Sequence, residues 1–134
     1  MQLGLFSQVI KHETFASVTD TLKQVSESAS QTISASKKAE LSQYFTPISI
    51  AKQMAAMVNR QELNDIGDHG AGTGILSATL IAMRHSKEAG SHHVKAYEID
   101  NSLHACIKDN LSLVHDYVYA ESSRAVTSSI EEDF

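Results

Sequence analysis

The sequence predicts an α/β protein in which strands and helices alternate along the chain. Residues 65–68 form a short strand candidate, and a glycine-rich turn leads from it into an apolar helix over residues 75–84. A second strand over residues 94–99 is followed by a second helix over residues 102–114. This order and spacing are typical of βαβ units, so we expect a parallel sheet with right-handed crossovers.

Length and composition are typical of one domain of a soluble globular protein rather than of a disordered chain. The 134 residues are 42% apolar and 20% charged, which is enough for a hydrophobic core. The net charge is −5 and the 11 Lys and Arg residues are scattered, so no basic stripe marks a surface that tracks phosphates. Any contact with nucleic acid must therefore involve a small area of this chain or be made by regions outside it.

The sequence carries no sign of export or membrane insertion. Its N-terminus lacks the features of a secretory signal, and no apolar run approaches membrane-spanning length. The single cysteine, Cys106, excludes an intrachain disulfide and is expected to be a small buried hydrophobe. We therefore expect a cytoplasmic protein.

Two helices are predicted before the first strand. Residues 1–40 form a helical leader, because apolar residues recur at helical spacing over residues 5–39, with a frayed serine-rich end. Thr46 is the predicted N-cap of the next helix and Pro47 its first residue. The apolar face of that helix is expected to comprise Ile50, Ala51, Met54, Ala55 and Val58.

Few helices or strands are predicted in the C-terminal part of the sequence. The serine-rich residues 121–129 are expected to form a loop, so that only two clear strands are placed. An open α/β sheet normally contains more strands. We expect residues 41–134 to be an incomplete α/β region.

The strongest functional signal is the glycine turn between the first strand and its helix. Gly70, Gly72 and Gly74 alternate with Ala71 and Thr73. Glycines in this position let the backbone turn tightly and let a ligand lie against main-chain N–H groups. An apolar Ile-Leu pair follows the turn where a P-loop would require Lys and Ser or Thr, which excludes that class.

Two carboxylates point to the ligand class. Asp68 precedes the turn, where it would repel the pyrophosphate of a dinucleotide, and Glu98 ends the second strand, where a ribose-binding carboxylate is expected. S-adenosylmethionine carries adenosine without phosphate, and a cationic amino group and sulfonium. Asp68 would face the cationic end, Glu98 the ribose hydroxyls and Ile99 the adenine. The alternative is a plain loop, with Glu98 and Asp100 capping the next helix.

Three segments resemble the N6-adenine DNA methyltransferases of restriction-modification systems. They are residues 43–47 (Gln-Tyr-Phe-Thr-Pro), 68–74 and 97–100 (Tyr-Glu-Ile-Asp), and the resemblance spans residues 38–110. It implies a Rossmann-like, S-adenosylmethionine-dependent methyltransferase fold in which the Phe-Thr-Pro motif folds over the methionine end of the cofactor. A terminal Asp-Phe resembles the element that contacts adenine. The implied cofactor-binding set is Phe45, Thr46, Pro47, Asp68, Gly70, Ala71, Gly72, Thr73, Gly74, Glu98, Ile99, Asp133 and Phe134.

The sequence departs from the family pattern at two points. His69 stands where the family usually has proline or another small residue. The catalytic Asn/Asp-Pro-Pro-Tyr motif is absent, since Pro47 is the single proline. We therefore predict no catalytic residue in this chain and expect double-stranded DNA to be bound through regions beyond it. No metal is implied, and a solvated loop is expected for His92 and His93.

Two other functions are compatible with the sequence. A non-catalytic module could keep the cofactor fold and use an exposed sheet edge to associate with itself or with a partner chain. Alternatively, the chain could belong to a methyltransferase acting on RNA, protein or a small molecule.

Overall fold

A computed structural model describes residues 14–33, 45–58, 63–85 and 90–132. Its secondary structure comprises four α-helices, a short 3₁₀ turn and three strands within those ranges. In chain order these are α1 (Phe15–Gln31), α2 (Ile48–Met57), β1 (Asp65–His69), α3 (Ile75–Arg84), β2 (His92–Tyr97), the 3₁₀ turn (Asn101–Leu103), α4 (His104–Ser122) and β3 (Val126–Glu131).

The three strands form one parallel sheet in the order β1-β2-β3. Ile66 pairs with Val94 across the first interface, and Ala96 pairs with Ile130 across the second. The predicted α/β class and parallel pairing are confirmed. Within the described part of the chain, β1 has a neighbour on one side only.

One face of the sheet supports the hydrophobic core. His92, Val94 and Ala96 of β2 are buried, while His93 and Lys95 between them are exposed, so the strand alternates between a covered and an open face. The buried cluster joins this covered face to apolar residues of α1, α3 and α4. The helices that precede and follow the glycine turn are therefore held on a common core.

Helix α1 is capped by side chains at its start. Thr14 and Ser17 form a capping box, because the Ser17 N–H donates to Thr14 Oγ1 at 3.1 Å and the Thr14 N–H donates to Ser17 Oγ at 2.9 Å. Val18 and Leu22 are completely buried. The predicted leader is thus a packing helix over its described residues, and the expected remainder of residues 1–40 lies outside them.

The start of α2 differs from the prediction. Pro47 is the N-cap, with an extended ψ of 150°, and no side chain caps the helix, so the prediction of Thr46 as N-cap was wrong. The predicted apolar face is also only partly correct. Ala51 and Ala55 are buried, whereas Ile50 and Met54 are 43% and 42% exposed.

The C-terminal elements are more extensive than the sequence suggested. β3 occupies Val126–Glu131, where a loop was expected, and α4 continues to Ser122 instead of ending near residue 114. The serines of β3 gave no strand pattern, yet its backbone pairs with β2 along six residue positions. Tertiary pairing here outweighs local propensity. β2 itself lies two residues earlier than predicted, so Glu98 directly follows the strand.

Two further expectations concern the burial of Cys106 and membrane-spanning helices. Cys106 is buried, as predicted, and burial, reinforced by the Asp109 charge, raises the pKa of its thiol. No helix within the described ranges is both long enough and apolar enough to cross a bilayer.

The turn between β1 and α3 requires its alternate glycines. Gly70, Gly72 and Gly74 all have positive φ, at 73°, 59° and 79°. Their surroundings differ, because a Cβ on Gly70 would meet no atom within 4 Å, whereas one on Gly74 would lie 3.3 Å from the Ile107 Cα. The end of the turn is therefore pressed against the backbone of α4.

We predict that Gly74→Ala destabilises the chain more than Gly70→Ala. The positive φ should cost each variant about 1 kcal/mol, and the contact with Ile107 should add about 1–2 kcal/mol at Gly74. Urea unfolding followed by circular dichroism measures both variants against the wild type. Equal losses in the two variants would show that α4 does not constrain the turn.

Asn110 links the turn to two helices. This α4 residue is completely buried, and its Nδ2 donates to the Thr73 carbonyl at 2.8 Å and to Ser26 Oγ of α1 at 3.3 Å. Because Thr73 lies between Gly72 and Gly74, one side chain connects α1, α4 and the turn. The Oδ1 atom has no hydrogen-bond partner among the described residues.

Replacing Asn110 by leucine should therefore lower the free energy of unfolding by about 1–3 kcal/mol, since the buried Thr73 carbonyl loses its side-chain donor. Ser112→Ala, on an exposed position of the same helix, is the matched control and should stay within about 0.5 kcal/mol of the wild type. The same urea titration distinguishes them. An unchanged Asn110→Leu stability would contradict a structural role for this hydrogen bond.

Candidate functional site

The glycine turn and the end of β2 are joined by one buried carboxylate. Glu98 is 6% exposed, and its Oε1 accepts the Gly72 N–H at 2.7 Å while its Oε2 accepts the Asp100 N–H at 2.8 Å. The main chain adds a second link, because the Gly70 and Ala71 N–H groups both donate to the Tyr97 carbonyl, at 2.8 and 2.9 Å. The ends of β1 and β2 are thereby locked to each other.

Glu98 keeps the capacity to accept further hydrogen bonds. A carboxylate offers about four lone-pair positions, and two are used by the backbone. The main-chain carbonyl oxygen of Glu98 lies 2.9 Å from His104 Nε2 at the start of α4. The side chain is thus held in a fixed orientation in which a ligand hydroxyl could still donate to it.

The two residues after Glu98 behave differently from each other. Ile99 is 65% exposed, so its side chain is available at the carboxyl end of β2. Asp100 caps the 3₁₀ turn, since its Oδ1 accepts the Ser102 N–H at 3.0 Å and the Ser102 hydroxyl at 2.6 Å. The capping alternative therefore describes Asp100 and not Glu98.

The Phe-Thr-Pro segment lies beside the glycine turn. An ideal Cβ on Gly72 would be 3.7 Å from the Phe45 ring, which is ordinary van der Waals contact, so the ring lies directly beside the turn. Phe45, Thr46 and Pro47 also line a cavity of about 250 Å³, together with Ile75 at the start of α3. We call this the α1 cavity, because residues of α1 form its other wall.

Asp68 lies on a different cavity. Its Oδ2 accepts a hydrogen bond from Ser77 Oγ of α3 at 2.5 Å. Both residues line a cavity of about 230 Å³ that is otherwise mostly apolar and includes Met54 of α2. The structure therefore does not place Asp68 in the cavity lined by Phe45 and its neighbours.

The predicted residues thus fall into separate groups. Glu98 and Phe45 both lie at the glycine turn. Ile99 directly follows Glu98 in the sequence, and Asp68 lines the second cavity. Asp133 and Phe134 lie outside the described residues. Sequence reasoning did not select Asn110, Ser77 or the polar residues of α1, because their roles depend on contacts between elements that are distant in the chain.

The histidine pair after residue 90 is not in a loop, so that expectation was wrong. His92 and His93 belong to β2, His92 is buried with Nδ1 2.5 Å from the Leu63 carbonyl, and His93 Nδ1 lies 2.8 Å from Thr127 Oγ1. Within the residues that the structure describes, no group of three or more His, Cys, Asp or Glu side chains is placed to hold a metal ion.

Comparison with known proteins assigns the chain to a family. The sequence model of the family described as N-6 DNA Methylase matches residues 17–133. The chain is also 34% identical over 96 residues to the Type II methyltransferase M.BsuBI of Bacillus subtilis. That alignment covers 70% of the chain but 19% of the relative, so the chain spans about a fifth of the length of the protein it matches. No solved structure matches significantly. Because the family match extends over most of its sequence, the chain belongs to the N-6 DNA methylase family.

Proposed function

We propose that this chain is the S-adenosylmethionine-binding part of an enzyme that methylates the N6 atom of adenine in DNA. The carrying observation is the buried Glu98 carboxylate, fixed between the glycine turn and the end of β2. Family membership supports the reaction class, and the matched relative is a type II methyltransferase. The fold we propose for the whole protein is Rossmann-like, with residues 1–40 as leader and residues 41–134 as the cofactor region.

The residues at the turn fit the proposed cofactor. Gly70 has open space where a Cβ would stand, so a ligand can approach its backbone closely. Glu98 can accept ribose hydroxyls with its remaining lone pairs, and the exposed Ile99 can cover the adenine ring. When bound, the cofactor supplies a methyl group on a positively charged sulfur.

Phe45, Thr46 and Pro47 are assigned to the methionine side of the cofactor. Phe45 lies against Gly72, which supports assigning this segment to the part of the cofactor that lies along the turn. Asp133 and Phe134 remain proposed contacts of the adenine. In this scheme the chain binds and orients the cofactor, and Glu98 is a binding residue.

Base recognition is assigned to the rest of the protein. An enzyme that modifies a base in duplex DNA must extrude it into a pocket that reads its edge. With one proline, the chain contains no Asn/Asp-Pro-Pro-Tyr motif to form such a pocket. The net charge of −5 likewise favours DNA contacts through other regions.

One observation also favours an assembly role. Along the described chain, β1 pairs only with β2, and Met57 of the neighbouring α2 is 74% exposed. A free strand edge is a template for pairing with further strands. We propose that this strand edge pairs with the rest of the methyltransferase, either on the same polypeptide or on a partner chain. Concentration-dependent dimerisation in sedimentation experiments would instead favour self-association.

Calorimetric titration tests the cofactor proposal directly. The wild-type chain should bind S-adenosylmethionine saturably, and Glu98→Gln should bind at least about tenfold more weakly, because one charged acceptor of the ribose hydroxyls is lost. Glu131→Gln, on an exposed position at the end of β3, is the matched control and should bind like the wild type.

Circular dichroism and thermal unfolding must show that each variant is folded, since Glu98 also supports the turn. Absence of binding by a folded wild-type chain would refute the cofactor assignment. Binding unchanged by Glu98→Gln would move the ribose to another site on the chain.

A further inference from the structure

The α1 cavity has an apolar wall and a charged wall. Phe45, Pro47 and Ile75 contribute apolar surface on one side. On the other side, Lys23 and Glu27 of α1 bring one positive and one negative charge to its lining. They are four residues apart and so lie on the same face of the helix. A ligand in this cavity would meet both charges together.

Both charged residues are exposed on the surface of α1. Among the described residues, neither Lys23 nor Glu27 is paired with a side chain of opposite charge. Their helix is nevertheless fixed in position, because Ser26 between them is buried and accepts the hydrogen bond of Asn110, which also holds Thr73 of the turn. The charged wall and the glycine turn are therefore parts of one rigid arrangement.

The size and location of the cavity suit one end of a larger ligand. Pockets that enclose a whole small molecule measure roughly 300–1,000 Å³. A volume of about 250 Å³ is below that range. The cavity borders the Phe-Thr-Pro segment and the start of α3, so it adjoins the turn proposed to carry the cofactor.

We propose that α1 forms part of the cofactor site and that Lys23 and Glu27 bind, respectively, the carboxylate and the ammonium of the amino-acid end of S-adenosylmethionine. This inference rests on the proposed cofactor. An amino-acid end carries both charges at neutral pH, which complements one basic and one acidic side chain. It also gives the amino-acid end a partner other than Asp68, which hydrogen-bonds Ser77 on the second cavity.

The test combines residue changes with a truncated ligand. Titrations of the whole 134-residue chain should use S-adenosylmethionine and 5′-methylthioadenosine, which keeps the adenosine and sulfur but lacks the amino-acid end. Lys23→Gln and Glu27→Gln should each weaken S-adenosylmethionine binding on the order of tenfold and leave 5′-methylthioadenosine binding within about twofold. Asp20→Asn, an exposed α1 position away from the cavity, should change neither.

Each contrary result has a distinct meaning. Equal losses for both ligands would show that the α1 charges act only on folding, and no loss for either would exclude them from the site. If Asp68→Asn selectively weakened S-adenosylmethionine binding and Glu27→Gln did not, Asp68 would be the residue that binds the ammonium. Each of these outcomes overturns the inference alone, whereas a folded wild-type chain that binds neither ligand overturns the proposed function with it.

Discussion

The arrangement of the site depends on the carboxylate of Glu98. By accepting N–H groups from Gly72 and Asp100, it ties the glycine turn to the segment that leaves β2. A buried carboxylate would be costly without such donors, so the backbone geometry and the charge stabilise each other. The same interaction presents a preformed acceptor beside the turn, which lowers the ordering cost of binding a ligand there.

The turn itself is the part of the structure most directly encoded in the sequence. Three alternate glycines predict a tight turn, which the structure forms with three positive φ angles, and the apolar spacing that follows predicts α3 with its observed bounds. These features are local, because they follow from residue types and spacings within one short segment. The strand before the turn was predicted from its position ahead of the glycines, and the burial of Cys106 from its apolar neighbours on the helix.

Features that depend on distant contacts could not be predicted in this way. The serines of β3 do not favour a strand, and this strand exists because the β2 backbone offers a hydrogen-bonding partner. Thr46 has a good capping side chain, yet the helix begins after Pro47 and leaves that side chain on the α1 cavity. Likewise, no local pattern distinguishes Lys23 and Glu27 from other surface charges, since the role proposed for them depends on the packing of α1 against α3 and α4.

The strand order β1-β2-β3 has a consequence for biosynthesis. Each strand pairs with the strand that comes next in the chain, so sheet contacts connect segments that are separated by a single helix. Contacts of short sequence separation form quickly, and domains assemble from the N-terminus as they leave the ribosome. In a larger protein, such as the matched relative, of which the aligned part is 19%, this segment could complete its sheet and its glycine turn once its own residues had left the ribosome, without strands from elsewhere in the polypeptide.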